Sequence, residues 1–290
     1  MFTSIPSLPL ELLPTIFESI ASDPSTKHRK RDFIACSSVS SVWREFAIPH
    51  LFGKLVFSFF PENTQQEEAD NGLPVVRPTY LTLSIFRDFL RSSPHIRCRI
   101  HTLTLSSREL SEDSDSETED TGWSEPHIVD PRNLLAVFHQ LPQLRDLTLR
   151  KIELIPDLCT STEDHSSSQS LNLERLCIEP QRVIEGGWNP MAEVFNHLRL
   201  FDAVGVLHLR DLDTHIPTIP QPVTTRALPT IHSLILEDVS ILSIVADIIR
   251  STPMVESLRS LEIGWGSNIP IGEYGIEVFP RLYERGVLNA

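Results

Sequence analysis

The sequence predicts an α/β fold in which a small N-terminal three-helix unit precedes an irregular array of strand–helix repeats. Residues 8–57 contain short helical patterns with more apolar surface than so small a unit buries alone. After them, the apolar spacing changes to segments of the form apolar-x-x-apolar-x-apolar, with helix candidates between them. Because each such unit leaves an apolar edge for its neighbour to cover, we expect a curved solenoid with a parallel sheet on one side and helices on the other.

Composition and charge limit the classes of partner. The chain has 290 residues, enough for one large domain or two smaller ones, and its 40% apolar content is enough for a core. The net charge of −14, from 25 basic and 39 acidic residues, argues against nucleic acid or an anionic membrane as the main partner.

The cysteines and the N-terminus indicate the compartment. No C-x-x-C pair occurs, so Cys36, Cys98, Cys159 and Cys177 predict neither a zinc site nor a disulfide framework. The first residues do not resemble a signal peptide, and no run approaches the roughly 20 apolar residues of a membrane helix. We therefore expect a soluble protein that is cytoplasmic, nuclear or both.

The N-terminal pattern predicts three short helices. Pro9 suits a first helical position and Pro14 disfavours a helical Leu13, which predicts a tight turn over residues 9–13 and a helix over about 14–22. A second helix is expected at residues 33–38 and a third from residue 40 or 41 to residue 47. The apolar stripes of these helices are formed by Ile16, Phe17, Ile20, Val39, Trp43 and Phe46.

A basic cluster, residues 27–31, lies in a segment that we interpret as a polar loop over residues 23–32. Such a cluster is compatible with a nuclear-import signal or a nucleic-acid patch. A solvated loop between two helices is the simpler interpretation, because no aromatic residues interleave the charges.

The order and spacing of one set of residues make residues 8–52 resemble an F-box, of the kind numerous in fungi. The resemblance is carried by Leu8, Pro9, Glu11, Leu12, Leu13, Ile16, Phe17, Val39, Ser40, Trp43, Arg44, Pro49, Leu51 and Phe52. It implies that the unit binds a Skp-type adaptor, and through it a cullin. It places these residues at or directly beneath that interface: Leu8, Pro9, Leu12, Ile16, Phe17, Val39 and Trp43. The alternative is that several of them simply form the core among the three helices.

Six or seven segments carry the repeating apolar spacing, and they resemble leucine-rich repeats. Their core positions are Phe52, Leu55 and Phe57; Ile100, Leu103 and Leu105; Leu144, Leu147 and Leu149; Leu173, Leu176 and Ile178; Val204, Leu207 and Leu209; Ile231, Leu234 and Leu236; Leu258, Leu261 and Ile263. The asparagine that often follows such a core is absent. We expect an F-box domain over residues 1–57 and a leucine-rich-repeat-like domain over residues 58–290, with the first strand overlapping the end of the first domain.

Helix candidates lie between the strands at residues 80–92, 133–139, 191–200 and 240–250, and a last helix is expected at 275–284. Residues 109–125 contain eight acidic side chains and no basic one. This composition predicts a disordered insertion at about residues 107–128, and residues 161–170 form a second polar loop.

No catalytic or cofactor motif is present, and the histidines and carboxylates form no metal or acid–base pattern. We therefore expect a binding protein without enzymatic activity, catalytic residues, metal or cofactor. Two functions follow from the resemblance: a substrate-recognition subunit of an SCF-type ubiquitin ligase, or a non-catalytic scaffold that works without ubiquitylation. An enzyme is a distant third.

The strand residues between core positions form a second candidate surface, for an unknown target protein. Several are basic although the chain is acidic: Arg145, Arg150, Arg175, His208, Arg210, His232 and Arg259. An acidic or phosphorylated target segment would suit them. The alternative is an ordinary solvated sheet face.

Overall fold

The computed structural model describes residues 9–22, 26–59, 82–107, 128–154, 171–180, 190–212, 228–237 and 257–264. Within them lie seven α-helices and nine β-strands. The helices are α1 (Leu13–Ala21), α2 (Thr26–Ser37), α3 (Ser41–Phe52), α4 (Leu83–Ser92), α5 (Pro94–Arg97), α6 (Pro131–Phe138) and α7 (Pro190–Leu198). The strands are β1 (Lys54–Phe59), β2 (Thr102–Ser107), β3 (Ile128–Val129), β4 (Asp146–Arg150), β5 (Glu153–Leu154), β6 (Asn172–Glu179), β7 (Ala203–Arg210), β8 (Thr230–Glu237) and β9 (Ser260–Gly264).

Seven of the strands form one parallel sheet in the order β1-β2-β4-β6-β7-β8-β9. The register aligns the apolar positions of neighbouring strands. One row consists of Leu55, Leu103, Leu147, Leu176, Leu207, Leu234 and Leu261, and the next of Phe57, Leu105, Leu149, Ile178, Leu209, Leu236 and Ile263. The predicted parallel sheet is confirmed, and all seven segments contribute a strand to it.

The helices between the strands complete one core with the apolar rows. Leu90 of α4, Leu134 of α6 and Leu198 of α7 are fully buried and belong to the same cluster as the strand residues. At the β1 end, the ring of Phe57 stacks on that of Phe86 of α4, with centroids 4.3 Å apart. The helices predicted at residues 80–92, 133–139 and 191–200 are confirmed as α4, α6 and α7, with ends that differ by a few residues.

Several expectations lie outside the described residues. They are the helices at 240–250 and 275–284, the loop at 161–170 and most of the acidic insertion. At the insertion's two ends, Ser107 is the last residue of β2 and Ile128 is the first of β3, so both belong to strands.

The predicted loop over residues 23–32 is wrong from residue 26 onwards, because α2 begins at Thr26. Lysine and arginine are good helix formers, and the Arg29 guanidinium donates a hydrogen bond of 3.1 Å to the carbonyl of Ala21, the last residue of α1. The third helix also runs further than predicted, through Pro49 to Phe52. A proline so near the helix end removes one backbone donor without stopping the last turn.

Two features of the fold were not predicted from the sequence. The short parallel pair β3–β5 forms a second sheet of two strands. Lys151 and Asp211 adopt positive φ angles of 54° and 53° at equivalent places, directly after β4 and β7. The next residues, Ile152 and Leu212, occupy the place of the missing asparagine and are buried. At these two turns the position is filled by a buried apolar side chain.

Gly205 permits the close approach of β7 to β6. A Cβ atom at this position would lie 2.7 Å from the backbone oxygen of Glu174, which is far inside van der Waals contact. At Gly264 the nearest heavy atom would lie 3.5 Å away, which is an ordinary contact. The two glycines therefore differ in the space that an added methyl group would have, so their alanine variants can be compared directly.

We predict that Gly205→Ala lowers the free energy of unfolding by about 1–3 kcal/mol, because the new methyl group forces two backbones apart. Gly264→Ala should change it by less than about 0.5 kcal/mol. Urea denaturation of both variants measures the difference. Equal stability of the two variants would contradict the close approach.

His197 is a buried histidine on α7. It is completely inaccessible to solvent, and its Nδ1 lies 2.8 Å from the carbonyl oxygen of Glu193, one helical turn earlier. Burial disfavours the imidazolium and lowers the pKa of His197 to about 4, although backbone hydrogen bonds partly oppose the shift. The folded protein therefore holds this histidine neutral where the unfolded chain protonates it.

We predict that this histidine makes the fold sensitive to acid. As the pH falls from 6.5 towards 4, only the unfolded state gains this proton, so the free energy of unfolding should decrease by up to about 3 kcal/mol. In His197→Gln this contribution disappears, and the pH dependence over that window should be shallower. Denaturant titrations at several pH values measure the slopes, with exposed His95→Gln as the control. Parallel curves for His197→Gln and the wild type would contradict the prediction.

Candidate functional site

The three N-terminal helices have a small core of their own around Phe17. This core consists of Leu13, Phe17, Phe33 and Ala47. The ring centroid of Phe17 lies 5.9 Å from that of Phe33 and 5.8 Å from that of Trp43. Phe17 thus joins α1 to both other helices.

The turn between α2 and α3 is held by polar contacts from two residues that follow Val39. The Ser40 hydroxyl caps α3 by accepting a hydrogen bond of 3.3 Å from the backbone N–H of Trp43. The Arg44 side chain donates a hydrogen bond of 3.1 Å to the carbonyl of Ser37, the last residue of α2. These bonds fix the direction in which Val39 and the start of α3 are presented.

Large apolar side chains are exposed mainly on this three-helix unit. Of the nine exposed large apolar residues in the described part of the chain, six lie between residues 10 and 46. We call these six the exposed apolar set: Leu10 (58%), Leu12 (47%), Ile34 (53%), Val39 (63%), Val42 (37%) and Phe46 (36%). Val42 and Phe46 share one side of α3, since they are four residues apart. A core of only four buried residues leaves this apolar surface to water.

The residues predicted to bind an adaptor divide into three groups. Pro9, Leu12 and Val39 are exposed, whereas Ile16 and Trp43 are half-buried. Phe17 is 1% exposed, so it supports the surface only from beneath. Leu8 lies outside the described residues. Leu10, Ile34 and Val42 are exposed residues that were not predicted from the sequence, although Val42 and Phe46 are four residues apart, which is helical spacing.

A single residue joins the three-helix unit to the sheet. Helix α3 ends at Phe52 and β1 begins at Lys54. The carbonyl oxygen of Gly53 accepts hydrogen bonds of 3.0 Å from the backbone N–H groups of both His101 and Thr102, at the start of β2. Strand β1 thus contains Leu55 and Phe57 of the predicted first repeat, whereas Phe52 is the last residue of α3.

The second candidate surface is the face of the sheet opposite the apolar rows, and it carries cross-strand ion pairs. Arg150 lies 3.1 Å from Glu179 on the neighbouring strand. The Arg210 guanidinium contacts both carboxylate oxygens of Glu237, at 2.7 and 2.8 Å. His208 Nε2 lies 2.9 Å from the same carboxylate. These three of the seven basic residues predicted to bind a target therefore lie within 3.1 Å of a carboxylate in the fold.

The Arg210–Glu237 pair favours the charged forms of both partners. The hydrogen bonds from Arg210 hold the pKa of the Glu237 carboxyl below its usual value, and the same bonds raise the pKa of Arg210. A bidentate pair of this kind ties β7 to β8 at a defined register. The pair therefore acts mainly on the structure of the sheet.

The remaining four predicted basic residues are exposed near the starts of the strands. Arg145 lies 3.4 Å from Glu174, and the side chains of both are more than half exposed. Arg175, His232 and Arg259 have no carboxylate within ion-pair distance among the described residues. The seven predicted residues therefore form two groups rather than one basic surface.

Cys177 lies between these groups, on the central strand β6. It is 7% exposed, and it is paired in register with Thr148 and His208 of the adjacent strands. Burial is the main cause that raises the pKa of the thiol to about 11. A thiol held protonated is a poor nucleophile, so its place beside a histidine does not make a reactive pair.

The comparisons with known proteins add no relative. No family model matches the sequence, and no curated protein matches it. Within the ranges that the structure describes, no group of three or more side chains could hold a metal ion, and no helix is long and apolar enough to cross a membrane. The candidate surfaces are therefore the exposed apolar set and the polar face of the sheet.

We predict that Cys177 is unreactive in the folded protein. At pH 8 a thiol with this pKa is ionised in about one molecule per thousand, and its burial limits access further. Iodoacetamide should modify the exposed Cys98 at least about tenfold faster, and the difference should largely vanish in urea. Mass spectrometry of the two peptides over time measures both rates. Rapid labelling of Cys177 without urea would contradict this view of the site.

Proposed function

We propose that this chain is a substrate-recognition subunit of an SCF-type ubiquitin ligase. In this proposal α1–α3 act as an F-box that binds a Skp-type adaptor. The sheet and its helices act as a leucine-rich-repeat solenoid that presents a target protein. The observation that supports the proposal most is the exposed apolar set, which concentrates six large apolar side chains between residues 10 and 46, where the motif resembles an F-box.

The chemistry of the exposed apolar set suits a protein partner. Leu10, Leu12 and Val39 are each about half exposed or more, so each leaves apolar area that a partner could remove from water. Trp43 and Phe46 border the Phe17 ring, with centroids 5.8 and 5.9 Å away, and supply aromatic area next to it. A central apolar region with aromatic anchors is the usual composition of an interface core.

The short connection at Gly53 between the three-helix unit and the sheet also supports the proposal. The hydrogen bonds from His101 and Thr102 bind the end of α3 to the start of the sheet without a flexible linker. A target held by the sheet would therefore keep a defined direction relative to the adaptor. The chain itself would perform no chemistry, and it would act by raising the concentration of the target near the conjugating enzyme.

We predict that Val39→Asp and Val42→Asp each weaken binding of a Skp-type adaptor at least about tenfold, because a carboxylate would replace a desolvated apolar contact. Val56→Asp is the matched control, since Val56 is 70% exposed but lies on β1 outside the three-helix unit. Titration calorimetry with purified adaptor measures the affinities, and circular dichroism checks that each variant is folded.

Two results would separate the proposals. If the wild-type chain shows no affinity for any Skp-type adaptor, or if the control variant is weakened as much as the helix variants, the adaptor proposal fails. If the adaptor binds but co-purification recovers neither a cullin nor ubiquitin conjugates, the non-catalytic scaffold is the better description.

A further inference from the structure

One side of helix α2 carries part of the basic cluster of residues 27–31 and is turned to solvent. Lys30, Arg31 and Ile34 are exposed, Ile34 at 53%. Residue 34 lies four positions after residue 30 and three after residue 31, so the three side chains are neighbours on the helix surface. We call Lys30, Arg31 and Ile34 the α2 face.

The packed side of α2 contacts the other two helices. The Arg29 guanidinium donates a hydrogen bond of 3.1 Å to the carbonyl of Ala21 at the end of α1. Phe33 is 2% exposed, and its ring centroid lies 4.7 Å from that of His50 on α3. Arg29 and Phe33 are four residues apart, so they define the packed side. The α2 face lies outside this contact and, within the described part of the chain, stays open to a partner.

The α2 face is basic. The sequence of α2 contains four Lys or Arg residues and one carboxylate, Asp32. Neither Lys30 nor Arg31 has a carboxylate within ion-pair distance among the described residues. Asp32 follows Arg31 directly, which places it about 100° further round the helix. Positive charge therefore prevails on the α2 face, although the chain as a whole has a net charge of −14.

Three further carboxylates of the three-helix unit are described, and each belongs to another element. They are Glu11 before α1, Glu18 on α1 and Glu45 on α3. Glu18 acts electrostatically on His50, whose ring stacks on Phe33 on the packed side of α2. An approaching partner therefore meets two cations that no described carboxylate pairs with in the fold.

We propose that the α2 face binds an acidic segment of the Skp-type adaptor. Ile34 belongs to both the α2 face and the exposed apolar set, so a partner that covers Ile34 comes within about one helical turn, about 5.4 Å, of Lys30 and Arg31. A cation that is covered without a partner loses hydration, and an opposite charge on the adaptor offsets that loss. The inference rests on the proposed function, since it names the chemistry of the adaptor surface that meets α2.

A protein segment fits the α2 face better than a nucleic acid does. The two cations adjoin the exposed Ile34, whose apolar surface a protein partner can cover and a phosphate backbone cannot. The Phe33 ring of α2 is buried, so it cannot stack on a base. The net charge of −14 also repels a polyanion that extends beyond the face.

Zero-length cross-linking tests the contact directly, because a carbodiimide joins a lysine amine to a carboxylate only where the two groups touch. With the full chain and a purified Skp-type adaptor, mass spectrometry should find Lys30 linked to an Asp or Glu of the adaptor. Lys54, which is exposed on β1, should give no such link. Lys30→Arg keeps the charge but removes the amine, so the link should disappear while the affinity changes by less than about twofold.

Charge reversal tests how much the two cations contribute. Lys30→Glu with Arg31→Glu should weaken adaptor binding at least about tenfold at about 50 mM salt, because two attractions become repulsions. The loss should be smaller at about 500 mM salt, where the charges are screened. The control is Arg91→Glu with Arg99→Glu, which makes the same change in net charge at exposed positions outside the three-helix unit. It should bind like the wild type in the same calorimetric titrations, and circular dichroism checks that both variants are folded.

The outcomes separate this inference from the proposed function. If the adaptor binds and Val39→Asp weakens it, but the Lys30 link or the charge-reversal loss is missing, the inference is overturned and the adaptor proposal stands. The same holds if the control loses as much affinity as the α2 variant. If a single-stranded RNA of about ten nucleotides binds more tightly than the adaptor and loses affinity in the α2 variant, the α2 face is a nucleic-acid site instead. If no adaptor binds the wild type at all, the proposed function fails and the inference fails with it.

Discussion

The structure depends on the burial of two apolar rows that run across seven parallel strands. In each row the side chain of one strand is covered by its neighbours on both sides, as Leu176 is by Leu147 and Leu207. No strand buries its apolar residues alone, so the register of each strand is determined by the strands beside it. The helices α4, α6 and α7 complete the core, and the opposite face of the sheet is left to polar chemistry.

This constraint also explains where the three-helix unit is attached. Strand β1 is at the end of the sheet order, and it begins one residue after α3 ends. The carbonyl of Gly53 extends the hydrogen bonding of the sheet by one residue, because it accepts from the two N–H groups at the start of β2. Strand β1 thus belongs to the large core through Phe57, while α3 belongs to the small core through Ala47. The two cores are therefore linked by one continuous stretch of chain, α3, Gly53 and β1.

The features that could be predicted best from the sequence are those that depend only on the periodic spacing of apolar residues. The seven strands were predictable because their apolar spacing repeats, and α4, α6 and α7 because their stripes follow the helical period. The start of α2 was not predictable, since its charged residues have no apolar stripe and Arg29 finds its partner, Ala21, only in the folded unit. The two-residue strands β3 and β5 are too short to carry a pattern. For the candidate sites, the sequence indicated Pro9, Leu12 and Val39 but could not separate them from Phe17, because burial depends on how three helices meet.

The division among the basic residues follows from the geometry of a parallel sheet. Side chains at the same height on adjacent parallel strands are direct neighbours, so alternating Arg and Glu near the carboxyl ends pair with each other, as Arg150 and Arg210 do. Nearer the amino edge, Arg175, His232 and Arg259 are exposed and have no carboxylate within ion-pair distance among the described residues. An arginine that a glutamate already holds would have to give up that bidentate bond before it could bind a ligand. The same residue type therefore fixes strand register at one edge and stays exposed to solvent at the other.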